Sequence, residues 1–229
     1  MINNIIIFII NFIDKYYHQK RIFGYLKKLN IKIKIIYDIG SHVCEYGILF
    51  SKIYSQAKIF CFEANPNLIN KSKNNIRNNK KIKLLNLGIG NKNISLNFNL
   101  NLLNEKTSSF FKVNKNSKNY KIKKIINNHL NKETKIKMIT LDKFISSDNP
   151  CPDLIKIDVE GYEKEVLLGI KKNLNNVKII LIEFRLDNLY QLYNNQNIHT
   201  FLLKNNFYLI KKFKFPILSW EDRLYVNTK

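Results

Sequence analysis

Residues 33–47, IKIIYDIGSHVCEYG, decide the fold of this chain. Apolar side chains dominate residues 33–39 and stop at Gly40, and a run of this kind bounded by a turn is typical of a buried parallel strand. Asp38 therefore falls at the carboxyl end of the strand, where open α/β sheets bind their ligands. The apolar residues that follow the turn, as far as Ile53, have helical spacing. The stretch predicts a strand, an acid-glycine turn and a helix.

This turn offers one ligand two complementary groups. Backbone N–H groups at the start of a helix suit an anionic part of the ligand, and Asp38 suits a cationic part. The zwitterionic amino-acid end of S-adenosylmethionine needs both. A dinucleotide would favour the spacing G-x-G-x-x-G, which the turn lacks, so a nicotinamide-dependent oxidoreductase is disfavoured. The alternative for the turn alone is an ordinary corner between a strand and a helix.

Composition indicates one domain with a strong positive charge. The chain has 229 residues and a formal net charge of +22, which first suggests a nucleic-acid binder. Only four of the 39 basic residues are arginine, the type preferred for phosphate and base contacts, and lysine, asparagine and isoleucine are abundant throughout. This pattern is typical of an AT-rich genome. It predicts general attraction to polyanions but no specific nucleic-acid partner.

The cysteines and histidines do not form a metal motif. Cys44, Cys61 and Cys151 are odd in number and lack metal-ligand spacing, which predicts free thiols in a reducing, cytoplasmic compartment. The four histidines are scattered along the chain. We therefore predict no metal site.

Residues 1–30 are predicted to be an N-terminal helical extension, and residues 31–229 the main domain. The opening run, INNIIIFIINFI, is shorter than the ~20 residues of a membrane span and lacks the basic start and cleavage site of a signal peptide. We expect this helix to pack on the sheet. A weak peripheral contact with a membrane is the alternative.

Acidic and glycine residues also follow the next two predicted strands. Residues 57–62, AKIFCF, end at Glu63, whose spacing from Asp38 suits an acid that accepts hydrogen bonds from ribose hydroxyls. The alternative for Glu63 is a solvated loop carboxylate. Residues 81–87 form a third predicted strand, and the glycine turn at 88–90 would let the backbone pass an adenine ring. An ordinary turn is the alternative there.

The middle of the chain has the weakest pattern. Residues 94–98 alternate like a strand and are expected to form a hairpin with what precedes them. Residues 91–137 as a whole are predicted to be an insert that lies over the site as a substrate lid. Residues 138–145 predict a short strand and a helical turn, with Asp142 as its N-cap.

The second informative stretch is residues 153–169, DLIKIDVEGYEKEVLLG. It predicts a buried strand that ends at Asp158, a turn that contains Glu160, and a helix that includes Glu163. Two carboxylates at this strand end could abstract a proton from an acceptor. The alternative is that they cap the following helix, which we consider the role of Glu163.

The last part of the chain completes a mixed sheet. Residues 177–182 predict a strand ending at Glu183, and residues 186–205 predict a helix. Residues 207–213 and 224–226 are expected to form an antiparallel pair at the end of the sheet.

The order of these elements resembles a class I methyltransferase, and more narrowly the FkbM family of methyltransferases. The resemblance depends on four stretches: YDIGSHVCEYG at 37–47, FEANPN at 62–67, MITLDKFI at 138–145 and LIKIDVEGYEKEVLLG at 154–169. The last is the most specific. The implied fold is a Rossmann-like α/β fold, with a mostly parallel seven-stranded sheet, an antiparallel last strand and helices on both faces.

The resemblance implies S-adenosylmethionine-dependent O-methylation of a hydroxyl on a sugar, glycan or secondary metabolite. It also implies a set of site residues. The cofactor set is Asp38, Gly40, Ser41, Glu63, Ala64, Gly88, Ile89, Gly90 and Ser109. The candidate bases on the acceptor side are Asp158, Glu160 and His42.

The chain departs from the family pattern inside the first turn. Ser41 and His42 stand where alanine and asparagine are usual, and Cys44 stands where glycine is usual. Cys44 could crowd the turn. A cofactor-binding member without activity, suggested by Cys44, and a methyltransferase that acts on nucleic acid, suggested by the positive charge, are the alternative functions.

Overall fold

The computed structural model describes residues 2–101, 108–112, 114, 116–117, 131–187, 190, 193–216 and 219–228. Its helices are α1 (Ile2–Ile13), a π-helical segment (Asp14–His18), α2 (Gln19–Lys28), α3 (Glu45–Ile53), α4 (Ile69–Ile76), α5 (Leu141–Ile145), α6 (Glu163–Leu168) and α7 (Asn195–Lys204). Short 3-10 turns cover Pro66–Leu68 and Leu174–Asn176. Its strands are β1 (Ile35–Ile39), β2 (Lys58–Phe62), β3 (Ile82–Leu85), β4 (Gly88–Ile89), β5 (Ile94–Asn101), β6 (Asn131–Ile139), β7 (Leu154–Ile157), β8 (Ile179–Arg185), β9 (Phe207–Lys214) and β10 (Trp220–Asn227).

The main sheet has seven strands in the order β3-β2-β1-β7-β8-β10-β9. The five strands from β3 to β8 are parallel, and β10 is antiparallel to both β8 and β9. The predicted mostly parallel sheet with an antiparallel end is therefore confirmed. The chain runs outwards from β1 to β3 and then returns to the other side of β1 with β7. This reversal creates a crevice between the carboxyl ends of β1 and β7.

Alternate side chains of the central strands enter two separate cores. Tyr37 and Ile39 of β1 pack in a cluster with residues of α5, α6 and α7. Ile36, on the opposite face of the same strand, packs in a second cluster with residues of α2, α3 and α4. Because successive strand residues point to opposite faces, an apolar run such as 35–39 needs a cover on both sides. The predicted helices on both faces are confirmed.

A second sheet of three strands, in the order β4-β6-β5, lies in the middle of the chain. Strand β5 pairs antiparallel with β6, so the expected hairpin between residues 94–98 and the preceding strand is wrong. The two ends of the predicted insert at 91–137 are thus paired strands. Residues 102–107, 113, 115 and 118–130 of the insert lie outside the described residues, and its role as a lid stays a prediction.

Three predicted boundaries are corrected, one by a neighbouring strand and two by helix caps. Strand β8 runs past Glu183 to Arg185, because β10 supplies hydrogen-bond partners that far. The last helix begins at Asn195, capped by the Asn194 side chain, which accepts a hydrogen bond from the Asn197 amide. In the same way, Thr140 and not Asp142 is the N-cap of α5.

The helices before β1 occupy the predicted N-terminal extension. Ile22, Phe23 and Leu26 of α2 are buried in the second core, as expected for a helix that packs on the sheet. The same expectation is wrong for residues 8–17, none of whose described side chains is buried. None of the helices in the described ranges has the length and apolar character needed to cross a membrane.

Candidate active site

The β1 turn (residues 38–42) is tied to the end of β2. The amides of Gly40 and Ser41 both donate to the Phe62 carbonyl, at 2.9 and 3.0 Å. Gly40 has a φ of +77°, and a Cβ placed there would lie 1.8 Å from the carbonyl oxygen of Asp158. Only glycine allows this backbone conformation together with such a close approach. The turns after β1 and β7 are therefore in direct contact across the crevice.

Asp38 supports the β1 turn from inside. Its side chain is completely buried, and Oδ2 accepts a hydrogen bond from the Gly47 amide at 3.1 Å. Burial raises the pKa of Asp38 to about 6, although the Lys156 cation lowers it. The buried Oδ1 has no hydrogen-bond partner in the described part of the chain, and a contact of Asp38 with the cationic part of a ligand stays a prediction. In this geometry, Asp38 holds the first turn of α3 in place below the surface.

Glu63 takes the position expected of a ribose acid. It follows β2, and its two oxygens accept hydrogen bonds from the amides of His42 and Asn65, both at 2.7 Å. Burial raises the pKa of Glu63 to about 7, although these two amides lower it. An ionised carboxylate has about four acceptor positions, so two remain for another donor. Ala64 beside it is partly exposed.

The glycine turn at 88–90 packs against β6. Gly88 and Ile89 form β4 and are buried, and a Cβ on Gly90 would lie 2.4 Å from the Met138 sulfur. A contact of these residues with an adenine ring stays a prediction. The accessible residue of this edge is Asn86, whose side chain donates to the Glu63 carbonyl at 2.8 Å.

Ser109 connects the middle of the chain to the β7 turn (residues 158–162). Its hydroxyl donates to the Glu160 carbonyl at 2.7 Å and accepts a hydrogen bond from the Phe111 amide at 3.0 Å. Ser109 is buried and its hydrogen bond positions the β7 turn, while a contact of Ser109 with the cofactor stays a prediction.

The two departures from the family pattern have different surroundings. Cys44 has a left-handed φ of 63°, and its side chain is buried in the second core, with Sγ 3.9 Å from Oγ of Ser41. His42 also has a positive φ, of 49°, and is partly exposed. Ser41 is buried, and its carbonyl accepts the Cys44 amide at 2.7 Å. Ligand contacts of Ser41 and His42 stay predictions.

Asp158 is the accessible acid of the β7 turn. Its side chain is 35% exposed, and Oδ2 lies 2.8 Å from Nζ of Lys156, which is itself buried in β7. Burial lowers the pKa of Lys156. The nearby carboxylates, of which Asp158 contributes most, raise it by more than burial lowers it, so the net shift is upward. Lys156 was not among the residues predicted for the site. A lysine inside the apolar strand LIKI was the available signal, because a buried cation requires partners.

Glu160 is held in a buried network. Its Oε2 accepts hydrogen bonds from the Tyr190 hydroxyl at 2.7 Å and from Nη1 of Arg185 at 3.2 Å. Arg185 also binds Asp187, at 3.1 Å. The Glu160 side chain is 14% exposed and its charge is neutralised, so it is poorly placed to take up a proton. Arg185 and Tyr190 carry no motif that would have identified them in the sequence.

Glu163 closes the β7 turn from below. It is completely buried, and its Oε1 accepts hydrogen bonds from the amides of Gly161 and Val159, at 3.0 and 3.3 Å. Burial raises the pKa of Glu163 to about 8. These contacts agree with the structural role expected of Glu163.

The corner between β1 and β2 fits S-adenosylmethionine. Glu63 keeps acceptor positions for hydroxyl groups, and the start of α3 lies next to it. The buried Nδ2 of Asn65 has no hydrogen-bond partner in the described part of the chain, which indicates room for a further polar group at this corner. A ribose contact of Glu63 and a methionine contact of the β1 turn stay predictions, and the amides of Gly40 and Ser41 are already bonded to the Phe62 carbonyl. No cluster of three potential metal ligands occurs among the described residues.

The sheet order and the two facing turns define the fold of a class I methyltransferase. Within that class, the chain belongs to the FkbM family, because the model of the methyltransferase FkbM domain matches residues 38–209. Members of this family depend on S-adenosylmethionine, so the predicted enzyme class and methyl donor are confirmed.

Similar proteins agree with this assignment. The hexuronic acid methyltransferase AglP of Haloferax volcanii is 24% identical over 151 residues, which are 65% of this chain and 55% of AglP. The chain thus spans about half the length of this relative. The fold resembles the N-methyltransferase NodS of Bradyrhizobium japonicum WM9 (TM-score 0.54, 8% identity, 94% and 99% of the two chains). It also resembles the precorrin-6y C5,15-methyltransferase of Geobacter metallireducens GS-15 (TM-score 0.51, 12% identity, 90% and 86%).

Proposed function

We propose that this chain transfers the methyl group of S-adenosylmethionine to a hydroxyl of a sugar or a similar polyol. The observation that carries the proposal is the contact between the two turns. Gly40 of the β1 turn abuts the Asp158 carbonyl, so a hydroxyl bound at Asp158 lies beside the corner that fits the methyl donor. The similarity to AglP, a hexuronic acid methyltransferase, supports a sugar acceptor.

Asp158 is the residue best placed to handle the acceptor proton. The other acids at this edge, Asp38, Glu63 and Glu163, are buried, and Glu160 is bound to Arg185 and Tyr190. Asp158 keeps an exposed side chain, and the short contact with Lys156 fixes one of its oxygens. The second oxygen can accept a hydrogen bond from a hydroxyl. His42 remains a second candidate on the facing turn.

The main contribution of the protein to this reaction is to align the methyl donor with the acceptor hydroxyl. When bound, S-adenosylmethionine supplies a methyl group on a positively charged sulfur that leaves readily. Asp158 orients the acceptor oxygen and takes up its proton, and Lys156 keeps the carboxylate in one position. Glu63 fixes the donor from the other side of the crevice.

The charges around the β7 turn favour a neutral acceptor. The two cations here, Lys156 and Arg185, are buried and already paired with the carboxylates of Asp158, Glu160 and Asp187. Among the described residues of the turn, no further cation is available for a second negative charge. We therefore propose that the hydroxyl groups of neutral sugars are methylated in preference to those of a uronic acid. The carboxylate of a uronic acid would be repelled by the acids of the turn, with no cation left to compensate it.

The test is a methyl-transfer assay with tritium-labelled S-adenosylmethionine and matched pairs of hexosides and hexuronides. We expect at least tenfold higher kcat/KM for the neutral member of each pair. Asp158→Asn should lower kcat by at least about 100-fold and change the affinity for S-adenosylhomocysteine little.

Asp153→Asn is the matched control, since Asp153 lies at the opposite end of β7 and accepts hydrogen bonds from Lys34 and Ile35. It should cost stability but keep turnover. Full activity of Asp158→Asn would show that Asp158 does not take up the acceptor proton. A preference for hexuronides would overturn the proposal of a neutral acceptor but not the assignment as a methyltransferase.

A further inference from the structure

The first helical segment exposes a concentration of large apolar side chains. Phe8 is 69% exposed, Phe12 is 53% exposed and Tyr16 is 49% exposed, with Ile9 and Tyr17 similarly open. None of the side chains described between residues 8 and 17 is buried. Burial begins at His18, the last residue of the π-helical segment before α2. Exposed apolar groups this close together are typical of an interaction surface.

The charge pattern along the segment changes abruptly. Helix α1 contains no charged residue, whereas residues 14–28 contain five basic residues and one acidic residue. Three of the cations lie over tyrosine rings at the junction: Lys15 and Lys20 are 5.5 and 5.7 Å from the Tyr16 ring centre, and Arg21 is 5.1 Å from that of Tyr17. An uncharged helix followed by tyrosines and cations matches the layers of a lipid bilayer surface.

The direction of the segment places α1 beyond the active edge of the sheet. His18 is buried and bonds Asp222 at 2.7 Å, next to Trp220, which pairs with Arg185 at the carboxyl end of β8. From there α2 runs to the opposite edge, where the chain enters β1. The backbone stays right-handed helical across the junction at Ile13 and Gln19. Helix α1 therefore continues past the edge that carries the β1 and β7 turns.

We propose that α1 docks the protein on an anionic lipid surface. At 12 residues, about 18 Å, α1 is too short to span a bilayer but long enough to embed its rings among the lipid headgroups and the start of the acyl chains. The basic residues that follow are placed for anionic headgroups, and the net charge of +22 adds to the attraction. Docking of this kind holds the active edge towards the membrane, where an acceptor on the surface can reach it.

The test is flotation of the full-length chain with vesicles of phosphatidylcholine, either alone or with phosphatidylglycerol. We expect binding to the anionic vesicles and at least tenfold weaker binding to the neutral ones. The triple variant Phe8→Ser, Phe12→Ser, Tyr16→Ser should lose at least about 100-fold in affinity, since three rings no longer leave water. Lys15→Gln and Lys20→Gln should each cost about fivefold with anionic vesicles only.

The control replaces exposed apolar residues elsewhere: Tyr208→Ser with Ile210→Ser, on β9, should bind vesicles like the parent chain. The melting temperature should be unchanged in all variants, because the altered side chains are exposed. Absent flotation, or flotation that survives the triple substitution, would overturn the proposal. Concentration-dependent dimers that disappear in the triple variant, without vesicle binding, would assign α1 to self-association instead.

Discussion

The β1 turn and the β7 turn start from the same local sequence signal and end with different chemistry. Each has an aspartate at the end of a buried strand and a glycine with positive φ soon after, at Gly40 and Gly161. In the first turn, Asp38 is buried and bonds the backbone of α3. In the second, Asp158 is partly exposed and bonds a lysine side chain.

The difference comes from the two residues that precede each aspartate. Tyr37 and Ile36 leave Asp38 without a cation in its own strand, so the carboxylate depends on the Gly47 amide and on Lys156 from the next strand. Asp158 has Lys156 two residues earlier on the same face of its own strand. Lys156 thus compensates the charge of two carboxylates: the buried Asp38, which supports the β1 turn, and the accessible Asp158 of the β7 turn.

The largest expected effect comes from breaking the contact between the turns. Gly40→Ala would place a methyl group 1.8 Å from the Asp158 carbonyl at a φ of +77°, so we expect a loss of about 4 kcal/mol or more in the free energy of unfolding and no binding of S-adenosylhomocysteine. Chemical denaturation and calorimetry measure both. Gly24→Ala, in an open position of α2, is the control and should stabilise by about 0.5–1 kcal/mol. Normal cofactor binding by Gly40→Ala would contradict the proposed geometry.

The second-largest effect is expected from removal of Lys156, the cation shared by the β1 and β7 turns. Lys156→Met keeps the length of the side chain but leaves Asp38 buried without its compensating charge, and we expect a loss of about 3 kcal/mol in stability at pH 7. The loss should shrink below pH 6, where Asp38 is protonated. A loss that is independent of pH would mean that packing of Lys156, and not its charge, supports the turns.

Glu63 distinguishes the cofactor corner from the β7 turn. Its pKa of about 7 means that the acceptor form is created as the pH rises through 7, so the affinity for S-adenosylhomocysteine should increase between pH 6 and 8. Glu63→Gln should bind about tenfold more weakly at pH 8 and lack this increase. Titration calorimetry at several pH values measures this affinity in the parent chain and in the variant. An identical pH profile in the variant would exclude Glu63 as the source.

The smallest effect is expected at Glu163, which supports the β7 turn. Its pKa is about 8 in the folded chain, above the ordinary 4.5, so the folded state holds a proton that the unfolded state releases between these values. The stability contributed by this group is therefore complete below pH 4.5 and falls as the pH rises to about 8. Glu163→Gln should remove this decline and be more stable than the parent chain at pH 8. If stability falls with pH in the same way in Glu163→Gln and in the parent chain, this expectation is wrong.

Much of the fold was predictable because local patterns and packing agree. Runs such as residues 35–39 and 154–157 are apolar on both faces, and only a parallel sheet with helices on both sides buries them. The second sheet was not predictable, since β5 and β6 pair across a long segment with little pattern.

The sequence by itself determined the sheet, the two acid-glycine turns and the family, because hydrophobic period and turn residues act over a few neighbours. Only the tertiary structure decided which acid is buried, which is accessible and which is already paired. Glu63 and Glu160 take partners that the fold brings from distant parts of the chain, the His42 amide and Arg185, whereas Asp158 pairs with Lys156 of its own strand. Burial and charge pairing depend on all the neighbours of a group in space, so a local pattern indicates them only where the partner is close in sequence.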